Sequence, residues 1–335
     1  MTVTCLAIGD PHFQTSNLEQ TDQFIEKINE LVIKLDPTFV VILGDLLHTH
    51  EKIHVVPFNK ATTLITSIAE KVPVFLIIGN HDLINHSQFL TTNHGFNSFK
   101  KIDNVTVCDK VKIKHFQGMK FVFCPYVPPE RFEEALDTLG DKGKTWTDAT
   151  CIFAHQEFYG CSFNPVTKST NGDIYPEEHP FVISGHIHDS QQLQKNIYYT
   201  GSSMQHAFGE SSNKTVAFVT FEKNMEPNIT KVKLGLKKKK IIYMDLRDVE
   251  KNFKPDPKFE IKLVVKGESE EFKVFRKSLF YKNVIQKQGI KIAFTACERQ
   301  VQHALVEKKN VLDILYDIVK DDKDLHEQYQ ELLKN

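Results

Sequence analysis

Five short pieces of the chain place carboxylates, an amide or imidazoles directly after apolar runs. They are Gly9-Asp10-Pro11-His12, Gly44-Asp45-Leu46-Leu47-His48, Gly79-Asn80-His81-Asp82, Ala154-His155-Gln156-Glu157 and Gly185-His186-Ile187-His188. A short apolar run reads as a buried strand, so each piece sets donor atoms at a strand's carboxyl end, where open α/β sheets keep their chemistry. Mixed oxygen and nitrogen donors suit a pair of divalent cations. Two such ions roughly 3.5–4 Å apart hold the attacking and leaving oxygens of a phosphoryl displacement, and they need one bridging carboxylate. Asp45 is assigned that bridge. The expected division gives one ion Asp10, His12, Asp45 and His188, and the other Asp45, Asn80, His155 and His186. Asp10 and His12, like His186 and His188, are two apart at a strand end and can point to one side.

A water shared by two such ions loses a proton near neutral pH, its pKa falling toward ~7, and the resulting hydroxide attacks phosphorus. His81 follows Asn80 directly and should face away from the ions, where it can give a proton to the leaving oxygen. His48, three residues past Asp45, is placed to touch the substrate phosphate. Singly, a histidine after a strand is commonly an ordinary surface or core histidine, and Gly-Asp after a strand is commonly only a turn. Five such pieces in this order carry the reading. His50, His54, His86, His94, His179 and His206 lack the placement and read as ordinary histidines.

The elements that must position these residues are legible as hydrophobic periodicity. Val3 to Ile8, Phe39 to Leu43 and Val74 to Ile78 read as strands. Between them run two helices, one with Phe24, Ile28, Leu31 and Leu35 on a face and one with Phe58, Ala61, Ile65 and Ile68. Such a β-α-β-α-β unit predicts a parallel sheet whose strands all end on one side. Strands are expected at Val105 to Cys108, Val111 to Phe116, Lys120 to Cys124, Cys151 to Ala154, Phe181 to Ser184, Ile197 to Thr200, Thr215 to Phe221 and Asn228 to Leu234. A helix is expected over Pro129 to Leu139 and a long loop over Tyr159 to Glu178. The four lysines Lys237 to Lys240 read as a boundary. After them come strands at Ile241 to Leu246, Phe259 to Val265 and Ile290 to Thr295, a helix presenting Phe272, Phe275 and Leu279, and terminal helices over Val311 to Leu333.

With 335 residues, the chain is long enough for about two domains. A net charge of -1 excludes a globally basic nucleic-acid binder, so phosphate contact would rest on local groups such as Lys237 to Lys240 or Lys110, Lys112, Lys114 and Lys120. No apolar stretch approaches a membrane span, and the first residues lack a signal-peptide pattern, so an intracellular protein with no membrane partner is expected. Six scattered cysteines without a Cys-x-x-Cys pair argue against a disulfide framework or a cysteine zinc site.

The order of the five pieces resembles that of the calcineurin-like metallophosphoesterases over most of residues 1 to 235. Within that superfamily the chain resembles the SbcD-type exonuclease subunit, in its bacteriophage and viral versions, a relative of the meiotic-recombination nuclease that processes double-strand breaks. The residues carrying the narrower likeness are Gly9 to Phe13, Gly44 to His48, Gly79 to Asp82, Gly185 to Gln191 and, most specifically, Tyr198 to Glu210. The resemblance implies a four-layer α/β/β/α sandwich over residues 1–236, a small α+β capping domain over 237–300 and a C-terminal helical segment over 301–335. It implies metal binding at Asp10, His12, Asp45, Asn80, His155, His186 and His188, the acid role at His81, substrate contact at His48, and two divalent ions, most often Mn2+. It also implies DNA as substrate, an SbcC-type coiled-coil ATPase docked on the C-terminal helices, and a homodimer. The competing expectation is a small-molecule metallophosphoesterase, such as a cyclic-nucleotide phosphodiesterase, using the same ligands. A non-catalytic scaffold ranks last because no ligand is missing.

Overall fold

The computed structural model of the chain describes residues 1–140, 144–164, 166–297 and 311–333. In chain order its regular elements begin with β1 (Thr2–Ile8), α1 (Leu18–Leu35), β2 (Phe39–Ile42), α2 (Val55–Ala69), β3 (Val74–Ile77) and β4 (Val105–Cys108). Next come β5 (Lys112–Phe116), β6 (Met119–Cys124), α3 (Phe132–Asp137), β7 (Cys151–Ala154), β8 (Val182–Ser184), β9 (Gln191–Gln194), β10 (Ile197–Tyr199), β11 (Val216–Glu222) and β12 (Asn228–Val232). They form two six-stranded sheets, β12-β11-β1-β2-β3-β4 and β5-β6-β7-β8-β10-β9. The runs β1-β2-β3-β4 and β6-β7-β8-β10 are parallel, and antiparallel strands flank both.

Strand alternation explains the layers. From β1, Cys5 and Ala7 enter a core shared with Phe121, Phe123 and Phe153 of the other sheet, while Leu6 and Ile8 face the opposite way, onto Phe24, Ile28 and Ile65 of α1 and α2. The second sheet repeats the pattern, with Val122, Cys124 and Ile152 turned toward Phe132 and Leu136 of α3. The result is the four-layer α/β/β/α sandwich that the resemblance implies. Phe75 and Phe123 stack across its middle, ring centroids 4.1 Å apart. Because β1, β2 and β3 are parallel, as are β7 and β8, the ends bearing Asp10, Asp45, Asn80, His155 and His186 can converge on one rim.

Two local readings differ from the outcome. The edge strand β9, Gln-Gln-Leu-Gln, is too polar to announce itself; its pairing with β10 and the bonds of Gln191 to Ser162 and of Gln194 to Tyr175 O hold it. The helix expected over Pro129 to Leu139 is shorter, Phe132–Asp137, and its first amide is bonded to Asp173 Oδ1 at 2.9 Å.

Two compact units are present. One comprises Met1–Ile242, Lys254–Leu263 and Gly289–Lys291; the other comprises Tyr243–Phe253, Val264–Gln288 and the described residues from Ile292 on. Three of the four lysines read as a boundary, Lys238 to Lys240, open a strand, β13 (Lys238–Asp245), which with β14 (Phe259–Gly267) and β15 (Lys291–Ala296) makes a three-stranded sheet ordered β13-β14-β15. In the second unit α4 (Leu246–Asn252) and α5 (Ser269–Phe275) bury Val249 and Phe275, and Phe272 stacks on Phe294 at 4.3 Å. Leu279 is 76% exposed rather than on the buried face, because the helix ends at Phe275 and Tyr281 and Ile285 fill the space instead. The terminal helices are α6 (Val311–Val319) and α7 (Lys323–Leu332); residues 301–310 and 334–335 of the expected helical segment lie outside the described residues. No described helix is long and apolar enough to cross a membrane. The six cysteines are free, five of them buried.

Candidate metal centre

The site is built first from backbone. Asp10, His12, Asp45 and His186 have φ of 43, 46, 50 and 78°, a left-handed conformation that costs a non-glycine residue about 1–2 kcal/mol. Pairing of β1 and β2 continues past both strands through His12 N–H to Asp45 O (2.9 Å) and Phe13 N–H to Leu46 O (2.9 Å), which holds those turns in place. Strain concentrated in this way marks a working site. The glycines of the pieces leave room for it: a Cβ at Gly44 would collide with His155 Nδ1, and one at Gly79 with Asp45 Oδ1.

Seven side chains then meet. Asp45 Oδ2 lies 3.5 Å from His12 Nε2 and 3.4 Å from His155 Nε2, between two groups of donors. On one side His12 Nε2 and His188 Nε2 are 3.1 Å apart, grouped with Asp10. On the other, Asn80 Oδ1 is 2.8 Å from His155 Nε2 and 2.9 Å from His186 Nδ1. The opposite ring nitrogens are already committed. His155 Nδ1 donates to Leu43 O at 2.6 Å, and His188 Nδ1 donates to the Glu210 carboxylate at 3.2 Å. That leaves lone pairs on both Nε2 atoms, and the Nε2 of His155 faces the carbonyl oxygen of Asn80. Ring nitrogens and oxygens this close, with a buried Asp10 Oδ2 that has no hydrogen-bond partner, need protons or cations between them. The donor set fits divalent cations.

Electrostatics agree. Burial would depress His155, but Asp45 and Asp10 override it and push the imidazolium up to about 9, which shows how negative the site is around that ring. His12, buried among other imidazoles, is held well below the usual histidine range and is a neutral donor. Burial raises Asp45, yet His155, His12 and His81 outweigh it and keep the carboxylate ionised. Asp10 is raised by burial and by the Asp45 charge.

His81 and His48 stand beside this group. His81 N–H donates to Asp45 Oδ1 (2.8 Å), and its Nδ1 donates to His48 O (2.7 Å). The His48 ring stacks on it at 5.5 Å, and His48 Nδ1 is 3.4 Å from His12 Nδ1. All nine residues singled out in the sequence therefore gather on one rim. Three histidines that read as ordinary also reach it. His206 donates from Nε2 to Asp10 O (2.9 Å) and packs edge-on to His12 at 4.8 Å. His50 stacks on His81 at 4.5 Å, and His86 Nδ1 lies 3.3 Å from Asn80 Nδ2. Their positions depend on loops with no periodic signal. Two carboxylates that spacing does not single out, Glu210 and Asp82, support the ligands. Asp82 accepts the Gly79 and Leu47 amides (3.0 and 3.2 Å), which ties two pieces together, and burial and the Asp45 charge raise its carboxyl to about 7.

The family profile for calcineurin-like phosphoesterase matches residues 3–190. Two viral proteins named as candidate phosphoesterases are similar over most of their length. One is 078R of Invertebrate iridescent virus 3, 39% identical over 95% of this chain and 92% of its own. The other is 244L of Invertebrate iridescent virus 6, 41% identical over 82% of this chain and 97% of its own. Among solved structures, TT1561 of Thermus thermophilus aligns with a TM-score of 0.44 at 11% identity, over 70% of this chain and 100% of that one.

Proposed function

The chain belongs to the calcineurin-like phosphoesterase family and hydrolyses phosphoester bonds with divalent metal ions, and from that premise we propose that it is a metal-dependent DNA nuclease, the nuclease subunit of an SbcCD-like repair and recombination complex. The observation that carries the metal chemistry is the convergence of the His12, His188 and His155 ring nitrogens on Asp10, Asp45 and Asn80. The nuclease reading is supported by the Tyr198 to Glu210 segment and by a second unit beyond Ile242, which a compact small-molecule esterase would not need.

In this reading Asp10, His12, Asp45 and His188 would hold one ion, and Asp45, Asn80, His155 and His186 would hold the other, with Mn2+ as the proposed metal. When bound, the pair supplies Lewis acidity to the phosphoryl group and lowers the pKa of water. The side chains do the rest. Glu210 and the Leu43 carbonyl fix the tautomers of His188 and His155. Asp45 Oδ1 accepts the His81 amide, which turns Oδ2 toward His12 and His155. His81, with Nδ1–H donated to the His48 carbonyl, would act as the imidazolium and give its Nε2 proton to the leaving oxygen, a release that burial favours by lowering its pKa. His48 contacts the phosphate. Two carboxylates among otherwise neutral donors leave the loaded centre positive, which suits an anionic substrate.

Purified protein with Mn2+ should degrade linear DNA and leave cyclic nucleotides untouched; the reverse pattern would replace this reading with the small-molecule one. His81→Ser should lower kcat by about 10²–10⁴-fold with metal content unchanged. We also assign the apolar face of α6, with Leu312, Leu315, Ile318 and Val319, to the ATPase. Removing residues 311–335 should abolish co-purification with an SbcC-type partner, and retention of that partner would refute the docking assignment.

A further inference from the structure

We propose that a second cleft, separate from the donor cluster, binds a nucleotide. It is a cleft open to solvent that lies among the start of α1, the segment 203–214 and the turn 233–238. Three features define its chemistry.

First, it contains polar atoms that the fold leaves unsatisfied. Ser203 is 1% exposed; its amide is tied to Gly9 O at 2.7 Å, but its hydroxyl has no partner. Gln20 donates from Nε2 to Lys237 O at 3.1 Å, which fixes the amide and leaves Oε1 buried and unpaired. A carbonyl oxygen can only accept, so it calls for a ligand N–H or O–H, and a buried polar atom left unmet is unfavourable. Second, Met204, Leu234 and Leu236 supply apolar wall, which suits the face of a base rather than a bare anion. Third, Lys233, Lys237 and Lys238 line the cleft, and none of them has a carboxylate within ion-pair distance among the described residues. Lys214, also in the lining, is spent: it donates to His188 O at 2.8 Å and lies 3.5 Å from Glu210. An apolar slot with a fixed acceptor and a hydroxyl at its floor, flanked by three uncompensated cations, matches a base or sugar bearing a phosphate.

That chemistry can come from a free mononucleotide or from one nucleotide of a strand. Neither depends on the metal centre, so binding is measured in EDTA on the full chain, by titration calorimetry with dAMP, dTMP, inorganic phosphate and a single-stranded dodecamer. Gln20→Leu and the double variant Lys237→Ser/Lys238→Ser should each weaken nucleotide binding at least tenfold. Metal-dependent hydrolysis of bis(p-nitrophenyl) phosphate should be unchanged in both. Binding of mononucleotides, lost in these variants, identifies a free-nucleotide site; binding of the dodecamer alone, lost in the same variants, identifies a strand contact. Affinity that ignores both substitutions, or inorganic phosphate binding as tightly as dAMP, overturns the proposal. Circular dichroism of the variants separates loss of ligand from loss of fold, and hydrolysis by the wild type tests the metal centre independently.

Discussion

Gly44 shows how finely the centre is packed. With φ of +96° and His155 Nδ1 occupying the place of a β-carbon, it has neither the conformation nor the room for a side chain. Gly118 offers the comparison, since its φ is +79° but nothing lies within 4 Å of where a methyl group would stand. Gly118→Ala should therefore cost only the left-handed penalty of about 1–2 kcal/mol. Gly44→Ala should cost more and should also reduce metal affinity, because relief of the clash moves His155. Urea titration and metal-binding calorimetry of the two variants check this; equal losses would mean that Gly44 serves the turn alone. The residues that do chemistry are legible in the sequence because donor types sit at strand ends. The strained φ of Asp10, His12, Asp45 and His186 is not, since nothing in an Asp or His marks a left-handed backbone. Nor is the approach of His50, His86 and His206, which loop geometry alone decides.

Among the elements, β13 departs most from its sequence impression. A run of four lysines suggests a solvated linker, yet Lys239 is buried. Its Nζ donates to the carbonyls of Gln205 (2.8 Å) and His206 (3.0 Å), and its amide donates to Gln205 Oε1 (2.8 Å). Strand alternation is the cause: Lys238 and Lys240 point out, and Lys239 must point in. The segment it holds carries Glu210, which accepts the His206 amide and orients His188. Lys239→Met should leave two buried carbonyls without their donor, at a cost of about 1–3 kcal/mol, and should weaken metal binding through Glu210. Lys240→Met, at an exposed position over the Phe259 ring, should do neither. Thermal unfolding and metal titration of both variants decide the point, and equal behaviour would make Lys239 an ordinary surface lysine. By contrast, α1 and β1 to β3 are legible almost to the residue, because their apolar periodicity is strong and both faces of the strands are buried.

At the scale of the molecule, two sheets share one aromatic-rich interlayer, and each contributes ligands to the rim: Asp10, Asp45 and Asn80 from the first, His155, His186 and His188 from the second. The contact of His155 Nδ1 with Leu43 O joins the two sheets at that rim. Association of the layers therefore creates the centre, and neither sheet holds a complete donor set. The layer order is legible from alternation and from the motif order, whereas the return of Lys254–Leu263 and Gly289–Lys291 to the first unit is not, because contacts between residues far apart in the chain decide it. The most direct test is to count metal. Elemental analysis and anomalous diffraction on Mn2+-loaded protein should find two ions per chain, and Asp45→Ala, which removes the shared carboxylate, should retain fewer than two. One ion in the wild type, or two ions undisturbed by loss of Asp45, would contradict the account.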